Sequence, residues 1–115
     1  MAGTLVLYSS DLMLVSTAGH AAREAGFGFQ SVLSPGEATW YLQTADTLFC
    51  LDLSVTHADP QAIASCAMAE VLGRAIAFGP HVHTARLESA RSAGFGTVLS
   101  RGQFFSRLQS GALFE

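Results

Sequence analysis

Apolar positions along this chain alternate between two periods. Residues 4–9, TLVLYS, form an apolar run rich in β-formers. Asp11 follows as a helix cap, and Leu14, Val15, Ala18, Ala22 and Ala25 then recur at helical spacing up to Gly26. Residues 29–33, FQSVL, alternate as a short strand does. SPGE at 34–37 is a capping box: Ser34 caps, Pro35 suits the first helical position, and Glu37 reaches back to the cap. That helix is expected to run to about Thr44.

The pattern then repeats. A third strand covers about 47–54. A helix starts at 58–60 with Asp59 as cap and Pro60 at its first position, and runs to Gly73. RAIAFG at 74–79 reads as a fourth strand. Thr84 caps a helix reaching Gly94, GTVLS at 96–100 is a fifth strand, and QFFSRLQSG closes as a helix. Strict strand–helix alternation with short connections implies a parallel sheet covered on both faces, whose central strands are apolar throughout, as 5–7, 48–51 and 75–78 are. The expected fold is a three-layer α/β sandwich, one (βα)5 domain over residues 1–115. Its doubly wound five-stranded parallel sheet takes the flavodoxin-like order 2-1-3-4-5.

Against that pattern one residue stands out. LFCLDLSV, residues 48–55, places Asp52 in a core strand, where an unpartnered carboxylate is costly. Open α/β sheets gather their sites at the carboxyl ends of the strands, so Asp52 becomes a site candidate.

Composition narrows the chemistry. Half of the 115 residues are hydrophobic and 13% are charged, which excludes disorder. No apolar run approaches the roughly 18 residues of a membrane span, and no signal segment opens the chain, so a cytoplasmic protein without a membrane partner is expected. The net charge of −3 with no basic run argues against nucleic-acid binding. The six arginines are accompanied by no lysine, which removes Walker-loop phosphate binding and Schiff-base chemistry. Cys50 and Cys66 match no zinc or redox motif and are read as buried apolar fillers. His57 lies in the loop after the third strand, and His81 and His83 in FGPHVHT after the fourth. The three imidazoles could compose a transition-metal or small-ligand site on the same end of the sheet.

The element order, CLDLS around Asp52 and SARSAGFGTVLSRG before Arg101 and Gly102 resemble the receiver domain of bacterial response regulators over the whole chain. That family carries two acids after strand one, a phosphoacceptor aspartate ending strand three, a hydroxyl ending strand four and a lysine ending strand five. The resemblance puts Asp52 at the phosphoacceptor position and Arg101 at the lysine. It puts Ser9 and Ser10 at the acids with Asp11 one place late, Gly79 at the hydroxyl and Val98 at an aromatic switch position. Only the aspartate is retained. A dication is held through one or two carboxylates plus phosphate and water, so magnesium would fall to Asp11 and Asp52. The same match implies a protein-binding or homodimer face on helix four, strand five and helix five, supplied by Arg86, Phe104, Phe105 and Arg107. Adjacent helical residues point about 100° apart, so only one of Phe104 and Phe105 can face the core.

Three readings follow. The first is a stand-alone pseudo-receiver, a signalling and protein-interaction module without normal phosphotransfer, not an enzyme, and without a cofactor. The second is a competent receiver phosphorylating itself at Asp52 in a two-component phosphorelay, with magnesium on Asp11 and Asp52. The third is a metal or small-ligand site on His57, His81 and His83. An Arg101–Asp52 pair would favour the first, a free Arg101 beside two adjacent carboxylates the second, and converging histidines the third.

Overall fold

The computed structural model describes residues 3–115. Five parallel strands, β1 (Thr4–Tyr8), β2 (Gly28–Val32), β3 (Thr47–Asp52), β4 (Ile76–Gly79) and β5 (Thr97–Ser100), lie in the order β2-β1-β3-β4-β5. The helices are α1 (Leu12–Glu24), α2 (Pro35–Leu42), α3 (Pro60–Cys66), α4 (Ala69–Arg74), α5 (Thr84–Ala93) and α6 (Arg101–Ser110), with a terminal 3-10 turn at Ala112–Phe114. The expected flavodoxin-like, doubly wound architecture is the one observed.

Period-two alternation sorts each strand's side chains between two cores. Val6, Tyr8, Phe49, Leu51 and Ala77 face α2, α3, α4 and α5, meeting Ala38, Leu42, Ile63, Val71 and Leu87. Leu5, Leu7, Cys50, Phe78 and Leu99 face α1 and α6, meeting Leu14, Ala18, Phe104 and Leu108. Phe78 and Phe104 stack with centroids 3.8 Å apart and planes 5° from parallel. The Thr47 hydroxyl, which by alternation shares the Phe49 face, is buried without a partner, and nothing in the structure explains it.

Several boundaries differ from the sequence pattern. The single helix expected over 60–73 is two, because Ala67 and Met68 are extended. The Met68 amide donates to Leu42 O at 3.0 Å, and Gln43 reaches Cys66 O, so contacts with the end of α2 replace intrahelical bonds there. Helix α5 is capped by His83 rather than Thr84, because the turn closed by His83 N on Pro80 O brings the chain in one residue earlier. Helix α6 begins at Arg101, two residues before the expected start, under a reciprocal box of Ser100 and Gln103. At Ser34 the expected box is altered: Ser34 Oγ accepts the Glu37 amide, but the Glu37 carboxylate takes the Ser34 hydroxyl instead of its backbone N–H. Cys50 is buried as expected, with its thiol pushed up by burial, whereas Cys66 is exposed.

Phe104 is 0% exposed. Its replacement by alanine should therefore behave as a core truncation, costing about 3–5 kcal/mol in urea unfolding. Phe105→Ala, at a half-buried position, should cost clearly less in the same measurement.

Candidate functional site at the carboxyl ends of the strands

The site is assembled by three strand ends. Beyond β1 the chain turns through buried Ser9 to Asp11, which caps α1 by accepting the Leu14 amide on Oδ1 at 3.1 Å. Strand β3 delivers Asp52 beside it. The Ser100–Gln103 box ends β5 sharply and makes Arg101 the first residue of α6, aimed back over the sheet end.

Asp52 is 1% exposed, and both of its oxygens have partners. Its Oδ2 accepts the Ser9 hydroxyl at 2.7 Å and lies 3.7 Å from Arg101 Nη1, while Oδ1 accepts the Ser54 amide at 2.9 Å. Ser9 Oγ in turn accepts the Asp11 amide at 3.1 Å. The Asp11 carboxylate does turn inward, and its Oδ2 pairs with Arg101 Nη2. One guanidinium thus spans both carboxylates. The surplus negative charge is spread over the Ser9 hydroxyl and the Ser54 amide, which replace lost water as buried carboxylates require.

Magnesium, which the receiver resemblance implies, does not fit these residues. It demands near-octahedral oxygen ligands, and Asp52 Oδ2 already accepts a hydroxyl while both carboxylates meet a guanidinium. The position that ends β4 is tight as well. A Cβ on Gly79 would come 3.1 Å from the Leu53 Cβ, so a hydroxyl-bearing residue there requires Leu53 to move.

Arg86, expected on an interaction face, has a different task. Its guanidinium makes four hydrogen bonds to the carbonyls of Leu53, Val55 and Ala58. It fastens the loop after β3, and with it the Ser54 amide that holds Asp52. Nothing in the sequence pattern marked it, because its acceptors are backbone groups of a loop. Phe104 is likewise no docking residue, being stacked in the core, while Phe105 is half-buried and Arg107 is exposed at the other end of α6.

The three histidines do not converge. His57 Nε2 lies 3.2 Å from the Tyr8 hydroxyl and 3.2 Å from Leu33 O, beside β1 and β2. Burial, with the Glu37 carboxylate adding to it, pushes the Tyr8 phenol above its ordinary pKa. His81 lines a groove with Ser100 and Gln103, and His83 lines another with Leu53 and Ser54. No cluster of three or more metal-ligating side chains occurs among the described residues. His57 is turned towards Tyr8 and Leu33, while His81 and His83 follow β4 and face different grooves.

No protein-family model matches the chain, and no curated protein sequence does. Solved structures do match. The response regulator receiver domain from Rhodospirillum rubrum superposes with a TM-score of 0.69 at 15% identity, over 96% of this chain and 92% of that one. A response regulator from Hahella chejuensis gives 0.70 at 13%, over 97% and 89%. The beryllofluoride-activated NtrC4 receiver domain dimer gives 0.69 at 14%, over 100% of both chains. The chain has the receiver fold from end to end.

Removing Arg101 leaves Asp52 buried with its neutral donors alone. Arg101→Ala should lower stability by about 1–2 kcal/mol, less than for a fully buried pair because Arg101 is 34% exposed. Combined with Asp52→Asn, the loss should be smaller than the sum of the two, a coupling of about 0.5–2 kcal/mol in a double-mutant cycle. Arg86→Ala should cost about 2–3 kcal/mol by denaturant unfolding, since it leaves the loop carbonyls without their charged donor.

Proposed function

We propose that the chain is a receiver-like signalling module that acts through protein contacts and does not carry out normal phosphotransfer. One observation carries the reading: Arg101 spans Asp11 and Asp52, where a phosphoryl-accepting site needs a dication and an accessible carboxylate. Asp52 is 1% exposed and both of its oxygens already accept hydrogen bonds, so in-line attack on a phosphoryl donor would require the contacts over it to open. The absence of a hydroxyl at Gly79 and of an aromatic ring at Val98 points the same way, since the phosphate-triggered rearrangement has no parts to move.

The partner face we assign is the groove between α5, β5 and α6, about 720 Å³, lined by His81, Leu87, Arg91, Val98, Ser100 and Gln103. It differs in its residues from the face expected from sequence, because Arg86 and Phe104 are turned into the loop and the core. Small Val98 leaves this groove open where a larger ring would fill it. The occupant is a protein; a second copy of the chain is the first case to test, and one similar structure is that of a receiver dimer. The setting we propose is bacterial, cytoplasmic two-component signalling, a reading supported by the likeness to response regulator receivers; no helix among the described residues is long and apolar enough to cross a membrane.

Intact mass after incubation with magnesium and acetyl phosphate tests the reading. The wild type and Asp52→Asn should both remain unmodified. A phosphoryl adduct on the wild type alone would make Asp52 a working nucleophile and return the chain to the competent receivers, with Asp11 and Asp52 as its metal acids.

A further inference from the structure

A dication fits poorly at the carboxyl end of the sheet for one identifiable reason. The two carboxylates there divide their oxygens in the same way. Asp11 Oδ1 accepts the Leu14 amide at 3.1 Å, and Asp52 Oδ1 accepts the Ser54 amide at 2.9 Å. Both Oδ2 atoms are left to face Arg101, one on Nη2 and the other 3.7 Å from Nη1. The Oδ1 bonds come from backbone that is held without Arg101: the first turn of α1, and the loop that Arg86 ties down at Leu53 and Val55. Convergence of the Oδ2 pair is therefore a property of the strand ends, and the guanidinium is what fills it. Ser9, whose hydroxyl donates to Asp52 Oδ2 at 2.7 Å, brings a third oxygen to the same place.

Two carboxylates and a hydroxyl are hard oxygen donors, the set that a small dication takes and a soft metal does not. Two negative charges here meet one positive charge, so charge alone would favour a doubly charged ion. The advantage of the guanidinium is its tether. Arg101 follows β5 directly and is locked at the start of α6 by the Ser100–Gln103 box, so this cation never has to be captured from solution. Nor can it be titrated away, since a guanidinium keeps its proton in proteins. A free ion has to displace a charge that neither leaves nor neutralises.

We propose that Arg101 is a resident cation: it keeps divalent ions off Asp11 and Asp52, and it sets the α6 wall of the partner groove independently of metal. What this says of the groove rests on the reading given above; what it says of the ion rests on the contacts alone.

Mn²⁺, an oxygen-binding paramagnetic ion, titrated into the full chain and followed through amide resonances by NMR, is the test, with Mg²⁺ as its diamagnetic counterpart. In the wild type neither ion should cause a saturable change at Ser9, Asp11 or Ser54, and Mg²⁺ should leave Val98 and Leu99 of the groove unmoved. Arg101→Gln, which removes the charge, should bind Mn²⁺ at least about tenfold more tightly, with broadening centred on the same three residues. Arg101→Lys, which retains a charge but lacks the fork that spans both carboxylates, should gain less. Asp52→Asn added to Arg101→Gln should cancel the gain. Saturable broadening of the wild type at Ser9, Asp11 and Ser54 would overturn the proposal, and that arm needs no variant to fold. So would a gain that survives Asp52→Asn. If Arg101→Gln binds Mn²⁺ no better than a wild type that acetyl phosphate leaves unmodified, this inference fails while the reading of the chain as a module without phosphotransfer stands.

Discussion

The arrangement at the sheet end depends on one guanidinium doing the work of a cation. Asp11 and Asp52 come from separate strand ends, and two carboxylates in contact distance of one point repel unless a positive charge lies between them. Arg101 supplies it from a third element. The position carries a cost of its own, since a cation in the first turn of a helix opposes the helix dipole by about 0.3–1 kcal/mol. The two carboxylates more than offset that, so cap, dipole and ion pairs form one balanced unit. A lysine would place a compact charge there; the planar fork of arginine reaches two carboxylates at once.

The rest of the site is closed around this unit rather than left vacant. Leu53 packs against Gly79 where a side chain would otherwise extend, and Arg86 ties the loop of residues 53–58 to α5 through backbone carbonyls. Such bonds are insensitive to the identity of the loop side chains. They hold the loop by its main chain, which makes the geometry around Asp52 rigid while leaving Ser54 and Thr56 free to face solvent.

Much of this was legible in the residues. The apolar strands and their period fixed the sheet, the alternation of elements fixed its order, and Asp52 announced itself as a charge in a core strand. Asp11 was legible as a cap, but not as an ion-pair partner, because that contact joins residues ninety positions apart. The pair Ser100–Gln103 is a capping box visible in SRGQ, and reading it would have put Arg101 at the start of a helix. The break at Ala67 and Met68 has no local signal: neither residue disfavours helix, and the contacts that replace the helical bonds come from Leu42 and Gln43 at the end of α2. Phe104 and Phe105 differ by one helical step, and the choice between them rests on where Phe78 lies across the sheet.

A doubly wound sheet ordinarily keeps its reactive groups and its openings at the same end. Here the reactive group and the openings are separated by side chains: Ser9, Ser54 and Arg101 cover Asp52, while open space lies in the α5–β5–α6 groove, which starts from His81 and Ser100 of the same end, and under the amino ends of β3 to β5. The walls of that groove are nonetheless anchored at the closed end: α5 through Arg86 to the loop after β3, and α6 through Arg101 to Asp11 and Asp52. The groove's width is therefore set by the same charges that, with a dication in place, would serve chemistry. Asp52 in a core strand thus has an architectural role, since its removal would leave Arg101, at the start of α6, with Asp11 as its remaining carboxylate partner.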